Sequence, residues 1–331
     1  MKKIAINGFG RIGRLTLRVL LERNDMEVVA INDLADLATL AHLFKYDSSY
    51  GPYKGKVSYD ATHIMVDNRP IHTYCSGNPA MLPWQELGVD IVVEATGRFL
   101  DQEGAGNHLA AGAKRVVLSA PAVDVVIPTV VVGINDIILK DVQKQPTIIS
   151  NASCTTNCLA PIVKVLDDCF GIEQGVVNTI HAYTADQSLQ DAPHKDLRRA
   201  RAAAVSIIPT STGAAKAIGL IIPHLNGRLD GIAMRVPVVN GSVVDFTALL
   251  KKTTTKEALN QAMLEASLGA LKHILQYTED PIVSVDVVGN TYSSVFDAKL
   301  TYVQGNFIKV VSWYDNEGAY AHRLVDLIAL L

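Results

Sequence analysis

Residues 8–13 read Gly-Phe-Gly-Arg-Ile-Gly, a G-x-G-x-x-G spacing that follows the apolar run Ile4-Ala5-Ile6 and precedes an apolar stripe at Ile12, Leu15 and Val19. Strand, glycine turn and helix in that order are the opening of a doubly wound dinucleotide-binding sheet. Gly8 permits the tight turn, Gly10 lets a pyrophosphate approach the backbone, and Gly13 lets helix and strand pack closely. Unpaired N–H groups at the helix start, with the positive end of its dipole, then favour phosphate. The second strand, Glu27 to Ile31, leads to Asp33, 20 residues past Gly13. A carboxylate there accepts from ribose hydroxyls and repels a 2′-phosphate, so the expected cofactor is NAD rather than NADP. Of the arginines on the first helix, Arg11 sits at its phosphate-facing start. Arg14 and Arg18 read as a solvated stripe.

Further short β-branched runs at 91–93, 116–118 and 147–149, with a Gly/Ala-rich helical segment at 105–113, continue the alternation. A Rossmann-type, mostly parallel sheet over residues 1–150 is expected. Beyond Ser150 the pattern shifts to longer β runs at 174–181, 230–238, 242–250, 295–303 and 307–313. They predict a second α+β domain over 151–314 with a mainly antiparallel or mixed sheet, and a terminal helix within 315–331 that returns to the first domain. Thr254 with Glu257 forms a capping pattern ahead of a helix over 254–275. The chain of 331 residues is 49% hydrophobic and 19% charged with a net charge of −3, which suits two cored domains and excludes a dedicated nucleic-acid or membrane-surface binder. No secretory leader or apolar span stands out, so a cytoplasmic protein is expected.

Four cysteines, Cys75, Cys154, Cys158 and Cys169, do not make a disulfide framework at this length. Cys154 lies in Ser-Asn-Ala-Ser-Cys-Thr-Thr-Asn-Cys (150–158), small and polar, just before a helix expected from Thr155 to Leu166. A thiol at a helix N-terminus is biased toward thiolate, the nucleophilic form. Cys158 follows one turn later without further ligand-type neighbours, so a metal site is not expected. Cys75, Cys158 and Cys169 read as ordinary buried small residues.

The 150–158 segment resembles the active-site segment of the glyceraldehyde-3-phosphate dehydrogenase family. The resemblance runs nearly end to end, through 6–14 (Ile-Asn-Gly-Phe-Gly-Arg-Ile-Gly-Arg), 181–184 (His-Ala-Tyr-Thr), 196–201 (Asp-Leu-Arg-Arg-Ala-Arg), 207–216 (Ile-Ile-Pro-Thr-Ser-Thr-Gly-Ala-Ala-Lys), 235–237 (Arg-Val-Pro) and 313–317 (Trp-Tyr-Asp-Asn-Glu). It implies that Cys154 attacks glyceraldehyde 3-phosphate and passes through a hemithioacetal and a thioester, which inorganic phosphate cleaves to an acyl phosphate. It implies His181 as the base; no pattern singles out this histidine otherwise. By the same resemblance Thr184 and Arg235 hold the substrate phosphate, while Ser153, Thr155, Arg199, Thr212 and Gly213 hold the attacking phosphate. Arg11, Ile12, Asp33, Ser119 and Asn316 would contact NAD, and a homotetramer is implied.

The sequence departs from the family's pattern at Gly77, where a basic residue is common, at Gly318-Ala319-Tyr320-Ala321, and at Ala192-Pro193 in place of Leu-Pro. These positions bear on the adenine contact, the nicotinamide side and NADP tolerance respectively. The competing readings are a phosphorylated-aldehyde dehydrogenase such as erythrose-4-phosphate dehydrogenase, whose thioester is hydrolysed, and a non-catalytic nucleotide-binding scaffold.

Overall fold

The first apolar run becomes β1 (Lys2–Asn7), and the glycine turn delivers the chain into α1 (Arg11–Leu21). The alternation continues through β2 (Met26–Asn32), α2 (Leu37–Lys45), β3 (Val57–Tyr59), β4 (His63–Val66), β5 (Arg69–Tyr74), α3 (Trp84–Leu87), β6 (Ile91–Glu94), α4 (Gln102–Ala110), β7 (Arg115–Leu118) and β8 (Ile148–Ser150). These strands form one sheet in the order β3-β4-β5-β2-β1-β6-β7-β8. From β5 to β8 every neighbouring pair is parallel, and the antiparallel pairs are β3–β4 and β4–β5 at the edge. Parallel strands covered on both faces read as continuous apolar runs, and Ile4, Ile6, Val92, Val93, Val116 and Val117 are all buried. Each contributes about 1.5–3 kcal/mol by leaving water.

The computed structural model describes residues 1–331 as two units. The first comprises Met1–Val130, Ile137–Ala152 and Ala321–Leu331; the second comprises Val131–Asp136 and Ser153–Tyr320. Within the first, the Lys2 ammonium donates to the carbonyls of Ile328 (3.2 Å) and Ala329 (3.0 Å), the last turn of the terminal helix, where cations are favoured.

The second unit contains α5 (Cys154–Phe170), β9 (Ile172–Ala182), β10 (Ile208–Ser211), α6 (Ala214–Ile221), β11 (Leu229–Val236), β12 (Ser242–Leu250), α7 (Lys256–Leu268), β13 (Leu275–Thr278), β14 (Ser294–Asp297), β15 (Tyr302–Gln304) and β16 (Phe307–Tyr314). The terminal helix α8 is Gly318–Ala329. The sheet order is β10-β11-β9-β12-β16-β14-β13, with β15 beside β16. The β9–β11 and β13–β14 pairs are parallel and the others antiparallel, which makes the sheet mixed. One face carries α5, α6 and α7. Along β12 residues alternate strictly, with Val244, Phe246 and Ala248 buried and Val243, Asp245 and Thr247 half-buried, the signature of a sheet covered on one side.

Several sequence expectations change. The helix expected to run from Thr155 to Leu166 begins at Cys154 and runs on to Phe170, with Pro161 in its interior. Burial of nearly every side chain from Thr155 to Leu166 outweighs the local cost of the proline. Helix α7 is capped by Thr255, not Thr254, and stops at Leu268. The run at 295–303 is broken into β14 and β15 by a short 3₁₀ turn. The strands of 57–74 and the helix α2 carry no pattern strong enough to predict. Arg14 and Arg18 are not a solvated stripe: Arg14 donates to the Phe9 carbonyl at 2.7 Å, and Arg18 to that of Phe44 at 2.9 Å while lying over the Phe44 and Tyr53 rings. Cys158 is buried, but Cys75 and Cys169 are exposed thiols.

Candidate active site

In the first unit, a cavity of about 360 Å³ opens at the carboxyl ends of β1, β2 and β6, lined by Asn7, Gly8, Gly10, Asn32, Asp33, Ser76, Thr96 and neighbours. This is the crevice where a doubly wound sheet binds its ligand. Gly8 has φ +92°, and a Cβ there would lie 2.6 Å from the Thr96 nitrogen. A Cβ on Gly13 would lie 2.1 Å from the Gly8 oxygen, so strand turn and helix meet too closely for any side chain. Gly10, by contrast, has nothing within 4 Å of a Cβ and is the N-cap of α1, with no side chain bonding the first-turn N–H groups. Open backbone at a helix start fits a pyrophosphate. Asp33 accepts the Phe9 N–H at 2.7 Å and that of Ala35 at 3.0 Å, which fixes its carboxylate at the pocket edge. Arg11 is ion-paired with Asp47 at 2.5 Å and lies over the Tyr50 ring. Arg11, Ile12 and Ser119 do not line the cavity; Ser119 directly follows β7, where its N–H donates to the Glu94 carbonyl.

Ala152 ends the middle segment of the first unit, and Ser153 opens the longer segment of the second and leads into α5. Ala152 has φ +57°, a left-handed conformation that costs a non-glycine residue about 1–3 kcal/mol. Ser153 caps the helix, its Oγ accepting the Thr156 N–H at 3.1 Å. Cys154 is thereby the first helical residue, with its Sγ 3.5 Å from Nε2 of His181, the penultimate residue of β9. Register sets Arg235 on β11 directly opposite His181. Nδ1 of His181 is 2.6 Å from the Ala182 carbonyl, which also receives Arg235 Nη1 at 2.9 Å. Arg235 Nη1, which only donates, is also 2.8 Å from Nδ1, so Nδ1 sits between an acceptor and a donor while Nε2 is the nitrogen that faces Cys154. Burial, reinforced by the Arg235 cation, pushes the His181 pKa down to about 3 and keeps the ring neutral. For Cys154, burial pushes the thiol up; Arg235 and the N–H and hydroxyl of Thr155 pull it down without overcoming burial. Burial therefore outweighs the helix start at this thiol, and a neutral imidazole stands beside it as the candidate base.

A cationic group surrounds this pair. Arg199 Nη1 binds Asp186 at 2.5 Å and its Nε donates to Thr210 Oγ1 at 2.9 Å, while the Thr184 hydroxyl donates to the other Asp186 oxygen. Burial raises the Asp186 carboxyl, but Thr184, Arg199 and Arg235 together hold it below the usual range. Thr155 turns its hydroxyl to that of Tyr314 at 2.9 Å, and Tyr314 also meets Thr179 at 2.9 Å. Thr212 and Gly213 stand apart from these bonds at the start of α6; Gly213 is its N-cap and has nothing within 4 Å of a Cβ. Asn316 is buried, its Oδ1 accepting from Gly241 N–H (3.1 Å) and Ser242 Oγ (2.8 Å), which fixes the orientation of its amide.

Comparison with known proteins bears on what this arrangement serves. The family model "Glyceraldehyde 3-phosphate dehydrogenase, NAD binding domain" matches residues 2–102, and "Glyceraldehyde 3-phosphate dehydrogenase, C-terminal domain" matches residues 153–316. Glyceraldehyde-3-phosphate dehydrogenase of Mycobacterium avium is 56% identical over 99% of this chain and 98% of the relative. The chain belongs to the glyceraldehyde-3-phosphate dehydrogenase family. Relatives of the same name from Geobacillus stearothermophilus, 54% identical over 99% of this chain and 98% of the relative, and Borreliella burgdorferi, 54% identical over 98% of each, agree.

For a glyceraldehyde-3-phosphate dehydrogenase, three residues of this site escape sequence reasoning. Asp186 partners Thr184 and Arg199, Tyr314 joins α5 to β9 under Cys154, and Ser242 orients Asn316. Only Tyr314 lay in a quoted motif; the others are bland positions whose importance comes from strands paired across the sheet. The departure at Gly318 is absorbed locally, its N–H joining those of Glu317 and Gly289 on the Asp315 carboxylate, with each distance between 2.8 and 2.9 Å.

Proposed function

We propose that Cys154 is the nucleophile and His181 the base of an NAD-dependent, phosphorylating oxidation of glyceraldehyde 3-phosphate to 1,3-bisphosphoglycerate, a step of glycolysis. The reading is carried by the Cys154–His181 approach at 3.5 Å, with Nε2 of a neutral imidazole turned to the sulfur. His181 takes the thiol proton as sulfur adds to the aldehyde carbon, and returns it to the new oxygen, giving a hemithioacetal. It then takes the hydroxyl proton as the carbon is oxidised to a thioester. Bound NAD supplies the hydride acceptor for that oxidation; the Gly10 backbone and Asp33 would hold its phosphates and ribose, and Asn316 its carboxamide, with Gly8 in the lining of the crevice and Gly13, Arg11, Ile12 and Ser119 behind it. Phosphate attacks the thioester carbon, Cys154 leaves as thiolate, and the thiolate recovers the proton from His181. Such proton handling contributes about 10²–10⁴-fold.

Phosphate groups need converging donors. Thr184 and Arg235 would take the substrate's phosphate. Ser153, Thr155, Arg199, Thr212 and Gly213 would take the attacking one, with Arg199 and Thr184 exchanging Asp186 for the ligand. The open sheet face exposes Val176, Ile232 and Phe307, apolar side chains that support self-association as a homotetramer. No helix is long and apolar enough to cross a membrane, and a cytoplasmic site of action fits the reaction.

The test is NAD reduction with glyceraldehyde 3-phosphate in the presence and absence of phosphate or arsenate. Turnover should depend on the oxyanion; indifference to it would favour a hydrolysed thioester and overturn the phosphorylating reading.

A further inference from the structure

Beneath the dinucleotide pocket lies a charged group that the proposed mechanism does not use. Glu94 is the last residue of β6, and register sets it opposite Asn7 at the end of β1, which on its other side faces Asn32 at the end of β2. Three adjacent parallel strands thus end in three buried polar side chains, with Glu94 at 0% exposure. A carboxyl group there is tolerable only if it is fully hydrogen-bonded.

The donors can be assigned outright. The indole Nε1–H of Trp84, which can only donate, is 3.0 Å from Nδ1 of His108. Nδ1 is therefore bare, and Nε2 carries the ring hydrogen and donates it to Glu94 Oε2 at 3.1 Å. The same oxygen takes Asn7 Nδ2–H at 2.5 Å. Oε1 takes the Thr96 N–H at 2.8 Å and the Thr96 hydroxyl. Four donors and no acceptor face this carboxyl, the surroundings of a carboxylate. The chain runs on from Asn7: its Oδ1 accepts Asn32 Nδ2–H at 2.7 Å, and Asn32 exchanges bonds of 2.9 Å with both the carbonyl and the N–H of Ser76.

One side of this network forms a wall of the dinucleotide pocket. Asn7, Asn32, Ser76 and Thr96 line it; Glu94, His108 and Trp84 do not. A buried ionic group is a poor way to gain stability alone, since well-packed apolar side chains do as well or better. Its value here is directional, because it fixes which end of each amide faces which neighbour.

We propose that Glu94, oriented by His108 and Trp84, is a positioning residue for dinucleotide binding that holds the Ser76 and Thr96 walls in register. The inference rests on the NAD reading given above. In Glu94→Gln one end of the side chain becomes a donor, and it must confront either the Thr96 donors or those of Asn7 and His108. His108 cannot present an acceptor in reply, because Trp84 already occupies Nδ1 as a donor.

The experiment titrates NAD into the intact protein and measures steady-state kinetics and melting temperature alongside. E94Q should raise the Kd and KM for NAD by about tenfold or more, with kcat within about twofold. Adding Trp84→Phe to E94Q should recover part of that affinity, because His108 is then free to turn its bare nitrogen toward the glutamine amide. Should E94Q not fold, His108→Phe, which withdraws one donor from Glu94 without touching the pocket, should raise the same Kd by about threefold. A lowered melting temperature with unchanged NAD affinity, or a double variant no better than E94Q, overturns the proposal. Wild-type protein that takes up no NAD overturns the cofactor reading itself, a separable result.

Discussion

Nε2 of His181 faces the sulfur of Cys154 at 3.5 Å, while Nδ1 lies 2.6 Å from the carbonyl of Ala182, the next residue along the same strand, and 2.8 Å from Nη1 of Arg235. Strand register thus holds the imidazole against the thiol with the Arg235 guanidinium behind it. His181→Asn should lower kcat by about 10²–10⁴-fold while NAD binding stays intact. Cys154→Ser should abolish turnover, again with NAD binding retained. Turnover by Cys154→Ser at the wild-type rate would remove Cys154 from the mechanism.

Arg235 acts on both members of the pair, lowering the thiol of Cys154 and disfavouring protonated His181. In Arg235→Gln the alkylation of Cys154 by iodoacetamide should therefore require higher pH than in wild type. A pH–rate profile superimposable on wild type would show that the guanidinium does not reach the sulfur electrostatically.

His181 also sets a term in acid stability. Its folded pKa of about 3 lies below the ordinary 6.5, so the unfolded chain binds this proton first as pH falls. The neutral ring's contribution is fully present above pH 6.5 and is lost between there and about pH 3, by at most about 1.4 kcal/mol per pH unit. Denaturant titrations at pH 7 and 4.5 should show a shallower loss in His181→Asn than in wild type.

The glycines of the first turn should separate folding from binding. Gly13→Ala drives a Cβ to 2.1 Å from the Gly8 oxygen and should cost about 3 kcal/mol or more, read as a lower melting temperature. Gly10→Ala meets nothing within 4 Å, so its melting temperature should match wild type while NAD affinity falls.

Tyr314 joins the hydroxyls of Thr155 and Thr179 at 2.9 Å each in a buried setting. Tyr314→Phe leaves both without that partner and should destabilise the protein by about 1–3 kcal/mol, measured by denaturant unfolding.

The sequence by itself was enough for the doubly wound sheet, the Gly8-Gly10-Gly13 turn and Asp33. Those signals are local: periodicity, glycine spacing and an acid a fixed distance along one strand. It also marked Cys154 through its polar neighbours, while His181 and the phosphate-binding set came only through family resemblance. The tertiary structure decided what depends on neighbours far along the chain. The parallel register of β9 and β11 sets Arg235 against His181 across 54 residues of sequence. Burial, not the helix start, governs the Cys154 thiol. Arg14 and Arg18, polar by composition, are bound into the fold because the carbonyls of Phe9 and Phe44 lie within reach. Trp84 choosing the tautomer of His108, and so the setting of Glu94, is a relation among residues on α3, α4 and β6 that only packing brings together.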